Sequence, residues 1–382
     1  MIEGGFGLYV HWPFCQSKCP YCDFNSHVTP EVDQTAWRDA LVSEISRYGR
    51  LVPNRILQTM FFGGGTPSLM PPDTVAAVID AARAAWPTSN DMEITLEANP
   101  TSVEAGKFRA FRQAGVNRIS MGIQALNDAD LKRLGRRHTV KEAQTAFEIA
   151  RSEFDRVSFD LIYARQDQTL TDWRVELNLA LSMAVDHLSL YQLTIEDGTA
   201  FGDRFSRGLL RGLPDDDRAA DMYEATQHMC ENAGMLGYET SNHASLGAES
   251  AHNLIYWRYG DYVGIGPGAH GRLTLPTGKI TTEALRQPGA WLNAVRANTN
   301  TADIHQVLPL SDQATELMMM GLRLSEGVSL QRYERLSNRY LPEVKLTGLV
   351  ELGLIEISDD RLTVSKRGRP LLNAILRDLL ID

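Results

Sequence analysis

Six short apolar runs punctuate the first half of the chain: "GLYVHW" (7–12), "TMFFGGG" (59–65), "MEITLEANP" (92–100), "NRISMGIQ" (117–124), "RVSFDLIY" (156–163) and "HLSLYQLTIE" (187–196). The segments between them carry the period of a helix. In "TAWRDALVSEISRYG", Trp37, Leu41, Ile45 and Tyr48 recur at three- and four-residue steps and so share one face. Strands alternating with helices predict a parallel sheet joined by right-handed crossovers. Several runs give way at once to Gly, Pro or polar residues, as in "GGGTPS", "EANPTS" and "GIQALND". In a (βα) barrel such strand ends carry the active site. Glu97 and Asp160 lie on the strands themselves; taken singly, each could equally be solvated or salt-bridged, but burying a carboxylate unpaired is costly, so both are expected to face a ligand or a cation.

Beyond about Gly202 the alternation stops. A helical stretch over 217–235 leads into "YETSNHASLGAESAHNLIYWRYGDYVGIGPGAHG" (238–271), whose Gly, His, Asn and aromatics read as loops packed onto the barrel. From about 303, helical runs at 312–325, 329–340 and 343–352 precede two strand-like pieces, "LIEIS" and "RLTVS", and a last helix, "GRPLLNAILRDLL". Three helices and then a β-ribbon resemble a winged helix. The expected division is 1–202, 203–302 and 303–382. The Met-rich "ELMMMGLRL" reads as ordinary core helix. The third unit holds 10 Lys and Arg against 12 Asp and Glu, which speaks against nucleic-acid binding and for a packing or protein-contact role.

Composition narrows the class. The chain has 382 residues, 43% apolar and 23% charged, which suits a globular protein of one large domain and a smaller one. No run of about 18 uncharged apolar residues occurs, and "MIEGGFGLYVHW" lacks a basic start and a small-residue cleavage site, so a cytoplasmic location is expected. A net charge of −10 argues against a general polyanion binder. "GIGPGAHG" imitates a dinucleotide fingerprint without the strand–turn–helix unit that gives one meaning.

Three of the four cysteines fall in "FCQSKCPYCDF" (14–24), spaced CxxxCxxC. Thiolates from Cys15, Cys19 and Cys22 can hold three irons of a [4Fe–4S] cubane on one loop and leave the fourth open. The remaining thiol, Cys230, lies in a helical stretch with no ligand-like neighbours and is expected to be a buried structural residue. Zinc held by the three cysteines with His11 or His27 is the rival reading. Structural zinc sites usually draw their ligands in two pairs, and no second pair lies nearby.

This loop after a first strand resembles the radical S-adenosylmethionine (SAM) superfamily, in which the cluster passes an electron to SAM held on the open iron. The resemblance implies a partial (βα)₆ TIM-type barrel with a small C-terminal domain. It also implies that Tyr21 lies near the adenine, and that the glycines of "GGGTP" (63–67) let backbone carbonyls approach the SAM ammonium. "YVHWPFCQSKCPYCDFNSH", "FFGGGTPSL", "GIQALNDADLKRLGRRH", "HLSLYQLTIEDGT" and "HNLIYWRYGDYVGIGPGAHG" narrow it to the anaerobic coproporphyrinogen III oxidase group, above all its heme chaperone branch. By position, Tyr9, Gly64, Gly65, Thr66, Pro67, Glu97, Gln124, Arg136 and Asp160 match that group's SAM contacts.

Departures separate the chain from the oxidase. That enzyme's motif continues as CxxxCxxCxC, whereas Phe24 stands here at the last position, and phenylalanine cannot relay a proton. Only 14 residues precede Cys15, fewer than the oxidase lays over its substrate, and "DLIYARQDQT" (160–169) replaces a Gly-Leu-Pro turn. "HNLIYW" (252–257) resembles the branch's HNxxYW motif and makes His252 the candidate axial heme ligand, with His243 and His270 as weaker ones. Read alone, His252 could equally cap or tie down a loop. The resemblance implies a heme acceptor protein, an electron donor for the cluster and peripheral contact with a membrane-bound acceptor. The apolar C-terminal unit leaves room for a homodimer.

Overall fold

The computed structural model describes residues 3–298 and 302–380; the outermost ends of the expected first and third units, 1–2 and 381–382, lie outside these. All six apolar runs are strands: β1 (Phe6–Trp12), β2 (Leu57–Gly64), β3 (Thr88–Ala98), β4 (Arg118–Gln124), β5 (Arg156–Tyr163) and β6 (His187–Gln192). They pair in parallel in chain order, each with the next. β6 ends earlier than its apolar pattern because Leu193 and Ile195 turn away to pack with Ala125, Leu131 and Phe201.

Alternation decides which face is which. Leu8, Val10, Met60 and Phe62 point outward into the core shared with the helices, and the first helix, Gln34–Leu51, lays Trp37, Leu41, Ile45 and Tyr48 into it. That helix begins at Asp33, whose carboxylate accepts the Ala36 amide at 3.0 Å. The other set of each strand, including Tyr9, Thr59, Glu97, Arg118 and Asp160, lines the interior of a partial barrel.

Residues 238–271 are not the loops their composition suggests. Asp261–Ile265 is a strand that pairs in parallel with β1, and antiparallel strands His270–Leu275, Gly278–Ala284 and Asp303–Val307 extend the sheet beyond it. On the other flank Asn242–Ala244 pairs antiparallel with β6, and Leu236–Gly237 with Asn242–Ala244, giving a sheet of twelve strands among the described residues. Gly264 and Gly271 disguise the pattern; a Cβ on Gly264 would lie 2.0 Å from the His270 carbonyl, so the hairpin requires glycine there.

Helix Ala251–Trp257 closes the N-terminal end of the barrel. Its amides at Ala251 and His252 donate to the Glu93 carboxylate at 3.3 and 3.1 Å, an acid at a helix start. Arg156 pairs with the same carboxylate at 3.0 Å. The C-terminal unit packs helices Leu310–Gly321, Leu330–Ser337, Glu343–Glu351 and Leu372–Leu380 around a three-stranded antiparallel sheet, with Met318 fully buried as core.

Candidate functional site

The C-terminal ends of the strands open onto a cavity of about 980 Å³, counting the solvent at its mouth. Cys15, Cys19, Tyr21, Cys22, Gly64, Gly65, Thr66, Pro67, Glu97, Gln124, Arg136 and Asp160 all line it, so twelve residues singled out along some 145 positions of sequence converge. Tyr9 and His252 do not. Tyr9 sits below, its ring against Phe61 and His252 and its hydroxyl 3.0 Å from His11 Nδ1. His252 is 1% exposed at the plugged end, with Nδ1 2.7 Å from Thr59 Oγ1 and Nε2 2.8 Å from Tyr256 Oη. Burial pulls its pKa down to about 3, so the ring is neutral.

The loop geometry depends on glycine at two points. Gly64 has φ 108°, and a Cβ there would strike the His11 ring at 2.6 Å; on Gly65 it would lie 2.7 Å from the Phe14 carbonyl oxygen. The turn after β2 therefore lies directly against the cysteine loop. Gln124 holds φ 75° at the end of β4, a left-handed conformation that costs a non-glycine residue energy and is common at functional sites.

Each thiol has a polar neighbour from the barrel or its own loop. Thr66 Oγ1 donates to Cys15 Sγ at 3.4 Å, Arg136 Nη1 to Cys19 Sγ at 3.3 Å, and Ser26 Oγ lies 3.9 Å from Cys22 Sγ. Arg136 Nη2 also donates to Asn99 Oδ1 at 2.6 Å and to the Gly122 carbonyl at 2.7 Å, while its buried Nε has no partner among the described residues. Burial pushes the Cys15 and Cys22 thiols up, so a bound metal would displace their protons.

Glu97 and Asp160 form no ion pair among the described residues. Burial, and then each other's charge in the case of Glu97, raise Glu97 to about 8; burial raises Asp160 to about 6 against a hydroxyl from Ser189 and the charges of Arg118 and Arg136. Two partly desolvated carboxylates without a counter-ion suit a ligand that brings positive charge and hydroxyl donors.

The donor set fits an iron–sulfur cluster better than zinc. Among the described residues no three His, Cys, Asp or Glu side chains gather to hold a metal ion as the chain stands. The three free thiols border one cavity from a single loop, as three cysteine corners of a cubane require. His11 has no nitrogen to offer zinc, since Nδ1 meets Tyr9 and Nε2 meets the Asn25 carbonyl at 2.9 Å. His27 meets Asn25 Oδ1 through Nε2 at 3.1 Å. Cys230 is buried in helix Asp216–Asn232, away from the cavity, and burial pushes its thiol up to about 12.

Two residues escaped the sequence reading. Asn99 bridges Arg136 to Thr66 Oγ1, 3.2 Å from its Nδ2; the polar residue after Ala98 in "TLEANP" was the available signal. Arg118 is buried beneath the cavity, and a cation inside the apolar "NRISMG" run was its signal.

The profile of the Radical SAM superfamily matches residues 9–180, and that of the HemN C-terminal domain matches 308–371. "Heme chaperone HemW" of Escherichia coli is 38% identical over 98% of this chain and 98% of its own, and that of Haemophilus influenzae is 37% identical with the same coverage. The Bos taurus protein "Radical S-adenosyl methionine domain-containing protein 1, mitochondrial" is 39% identical over 98% of this chain and 87% of its own. Coproporphyrinogen III oxidase (HemN) from Escherichia coli, a solved radical SAM enzyme, covers 99% of this chain and 91% of its own at a TM-score of 0.81 and 21% identity, a likeness of fold. With relatives of this identity along its whole length, the chain belongs to the radical SAM superfamily, in the group that carries the HemN C-terminal domain.

Proposed function

We propose that the chain is a heme chaperone that binds heme and passes it to an acceptor protein, and that it carries a [4Fe–4S] cluster on Cys15, Cys19 and Cys22 with SAM on the open iron. The observation that carries the cofactor half is the convergence of three free thiols, Gly64 and Gly65, and the unpaired Glu97 and Asp160 on one cavity. The heme half is supported by end-to-end relatives named "Heme chaperone HemW".

A bound cluster supplies an electron to SAM. The residues around it bind and orient. Arg136 steadies the Cys19 sulfur and, through Asn99, the turn that carries Thr66. Glu97 and Asp160 accept donors from a cationic ligand, and the Gly64–Gly65 backbone lets that ligand approach without a Cβ in the way. Tyr21, Pro67 and Gln124 complete the walls. Tyr9 acts from beneath, through His11 and the Asn25 carbonyl, on the cysteine loop.

Heme ligation by His252 requires helix Ala251–Trp257 to release the Thr59 or Tyr256 contact. His270 is exposed and requires no such release. Hemin titration of the anaerobically reconstituted protein tests the reading. A Soret band that weakens in His252→Ala places the iron there, one that weakens only in His270→Ala moves it, and no band in the wild type removes heme from the proposal. Among the described residues no helix is long and apolar enough to cross a membrane. In this reading the protein works in the cytoplasm with an electron donor and with a heme acceptor at a membrane surface, and pairs as a homodimer through the C-terminal unit.

A second reading, oxygen-independent coproporphyrinogen III oxidase, draws on the shared fold. Phe24 weighs against it: the ring is 58% exposed at the cavity and offers no proton where that enzyme's motif continues with cysteine. Sustained formation of protoporphyrinogen from coproporphyrinogen III by the reconstituted protein, given dithionite and SAM, would reverse the preference.

A further inference from the structure

Between the cavity and the plug helix lies a buried cation with no ion pair among the described residues. Arg118 is 2% exposed. Its Nη2 donates to Ser158 Oγ at 2.9 Å and its Nη1 to Thr95 Oγ1 at 3.4 Å; Ser158 donates onward to Ser120 Oγ at 3.2 Å. Both partners, and Ser120 beyond them, are neutral. Its register neighbour Arg156, by contrast, pairs with Glu93 and Asp186, each at 3.0 Å. A guanidinium buried against hydroxyls alone is expensive, so something must offset its charge.

The strand register identifies what does. Arg118 is level with Thr95, and Ser120 with Glu97, so Arg118 stands one inward step below the Glu97 carboxylate. On the other side Ser158 is level with Ser120, and Asp160 is the next inward residue above Ser158. Both unpaired carboxylates thus hang over one guanidinium. We infer that Arg118 is a positioning residue whose charge favours the ionised form of Glu97 and Asp160 from beneath, so that the cavity can take a ligand bearing an ammonium and a sulfonium. The inference rests on the SAM reading of the cavity and deepens it.

No other group can substitute for this charge. Glu97 is faced by Tyr9 from β1, the Gly64 amide from β2, Asp160 from β5 and Tyr256 from the plug helix. Asp160 is faced by Ser189 and Tyr191 from β6 and by Arg136. Of these only Arg136 is cationic, and it is committed to Cys19, Asn99 and the Gly122 carbonyl. Arg118 is committed only to the hydroxyls of Ser158 and Thr95 among the described residues.

The test compares Arg118→Gln, which keeps a hydrogen-bond donor but no charge, with Arg118→Lys, which keeps the charge. SAM affinity of the anaerobically reconstituted protein, cluster oxidised, is measured by equilibrium dialysis across about pH 5.5 to 9. Affinity should rise with pH as the carboxyls ionise; the midpoint should move up by about one pH unit in Arg118→Gln and return toward wild type in Arg118→Lys. Infrared titration of the carboxyl bands in ligand-free protein, assigned with Glu97→Gln and Asp160→Asn, should show the same shift. An unmoved midpoint and unmoved bands overturn the inference and leave the SAM reading standing. If the wild type binds no SAM at any pH, the SAM reading falls, and the infrared bands alone then decide whether Arg118 governs the carboxyls. A merely structural Arg118 would lower the melting temperature and move neither midpoint nor bands.

Discussion

Arg136 donates from Nη1 to the sulfur of Cys19 at 3.3 Å, joining the loop after β4 to the cysteine loop after β1. Hydrogen bonds from a cation to a cluster ligand stabilise the added electron and so raise the reduction potential. Arg136→Gln should therefore retain a reconstituted cluster but lower its midpoint potential, read by dithionite titration followed by electron paramagnetic resonance. An unchanged potential would detach Arg136 from the cluster.

The cysteines should divide three against one. Cys15→Ala, Cys19→Ala and Cys22→Ala are each expected to lose most iron and sulfide after anaerobic reconstitution, as each removes a corner ligand. Cys230→Ala should keep the full content and cost about 1 kcal/mol of stability, the price of a small core void. Iron and sulfide analysis beside urea denaturation separates the two outcomes.

Glu97 makes ligand-free stability fall with rising pH. Its folded pKa of about 8 exceeds the ordinary 4.5, so the folded chain holds a proton that the unfolded chain has released between those values. Stability is fully present below 4.5 and is lost as pH rises toward 8. Glu97→Gln should be more stable than wild type by about 2–4 kcal/mol at pH 8 and nearly equal to it near pH 4.5. Denaturant midpoints at the two pH values check this; equal differences at both would contradict it.

His252 has the opposite effect. Its folded pKa of about 3 lies below 6.5, so the unfolded chain gains a proton that the folded chain refuses. Stability present above pH 6.5 is lost toward pH 3 by up to about 1.4 kcal/mol per unit. His252→Phe removes that slope at the cost of leaving Thr59 and Tyr256 without their shared partner, a loss of about 1–3 kcal/mol at neutral pH. A slope as steep as that of the wild type would assign the acid sensitivity elsewhere.

What the sequence disclosed was local. The six parallel strands follow from apolar runs and the helical period between them, and the cysteine spacing and "GGGTP" announce chemistry within a few residues. What it hid depends on pairing between distant segments. Nothing near Asp261–Ile265 says that it lies beside β1, and nothing in "HNLIYW" says that its helix seats on Glu93 at the floor of the barrel. Arg118 is legible only as an oddity until the register sets two carboxylates above it.

The plug helix also determines traffic. With His252 and Ile255 buried in the helix at the N-terminal end, the cavity opens at the mouth bordered by Phe24 and the three thiols. Dioxygen reaching those thiols through that mouth shares it with the cofactor. Whatever docks over that mouth therefore sets cofactor exchange and the lifetime of an oxygen-sensitive cluster together, and the protein is safest in air when it is least able to turn over its ligands.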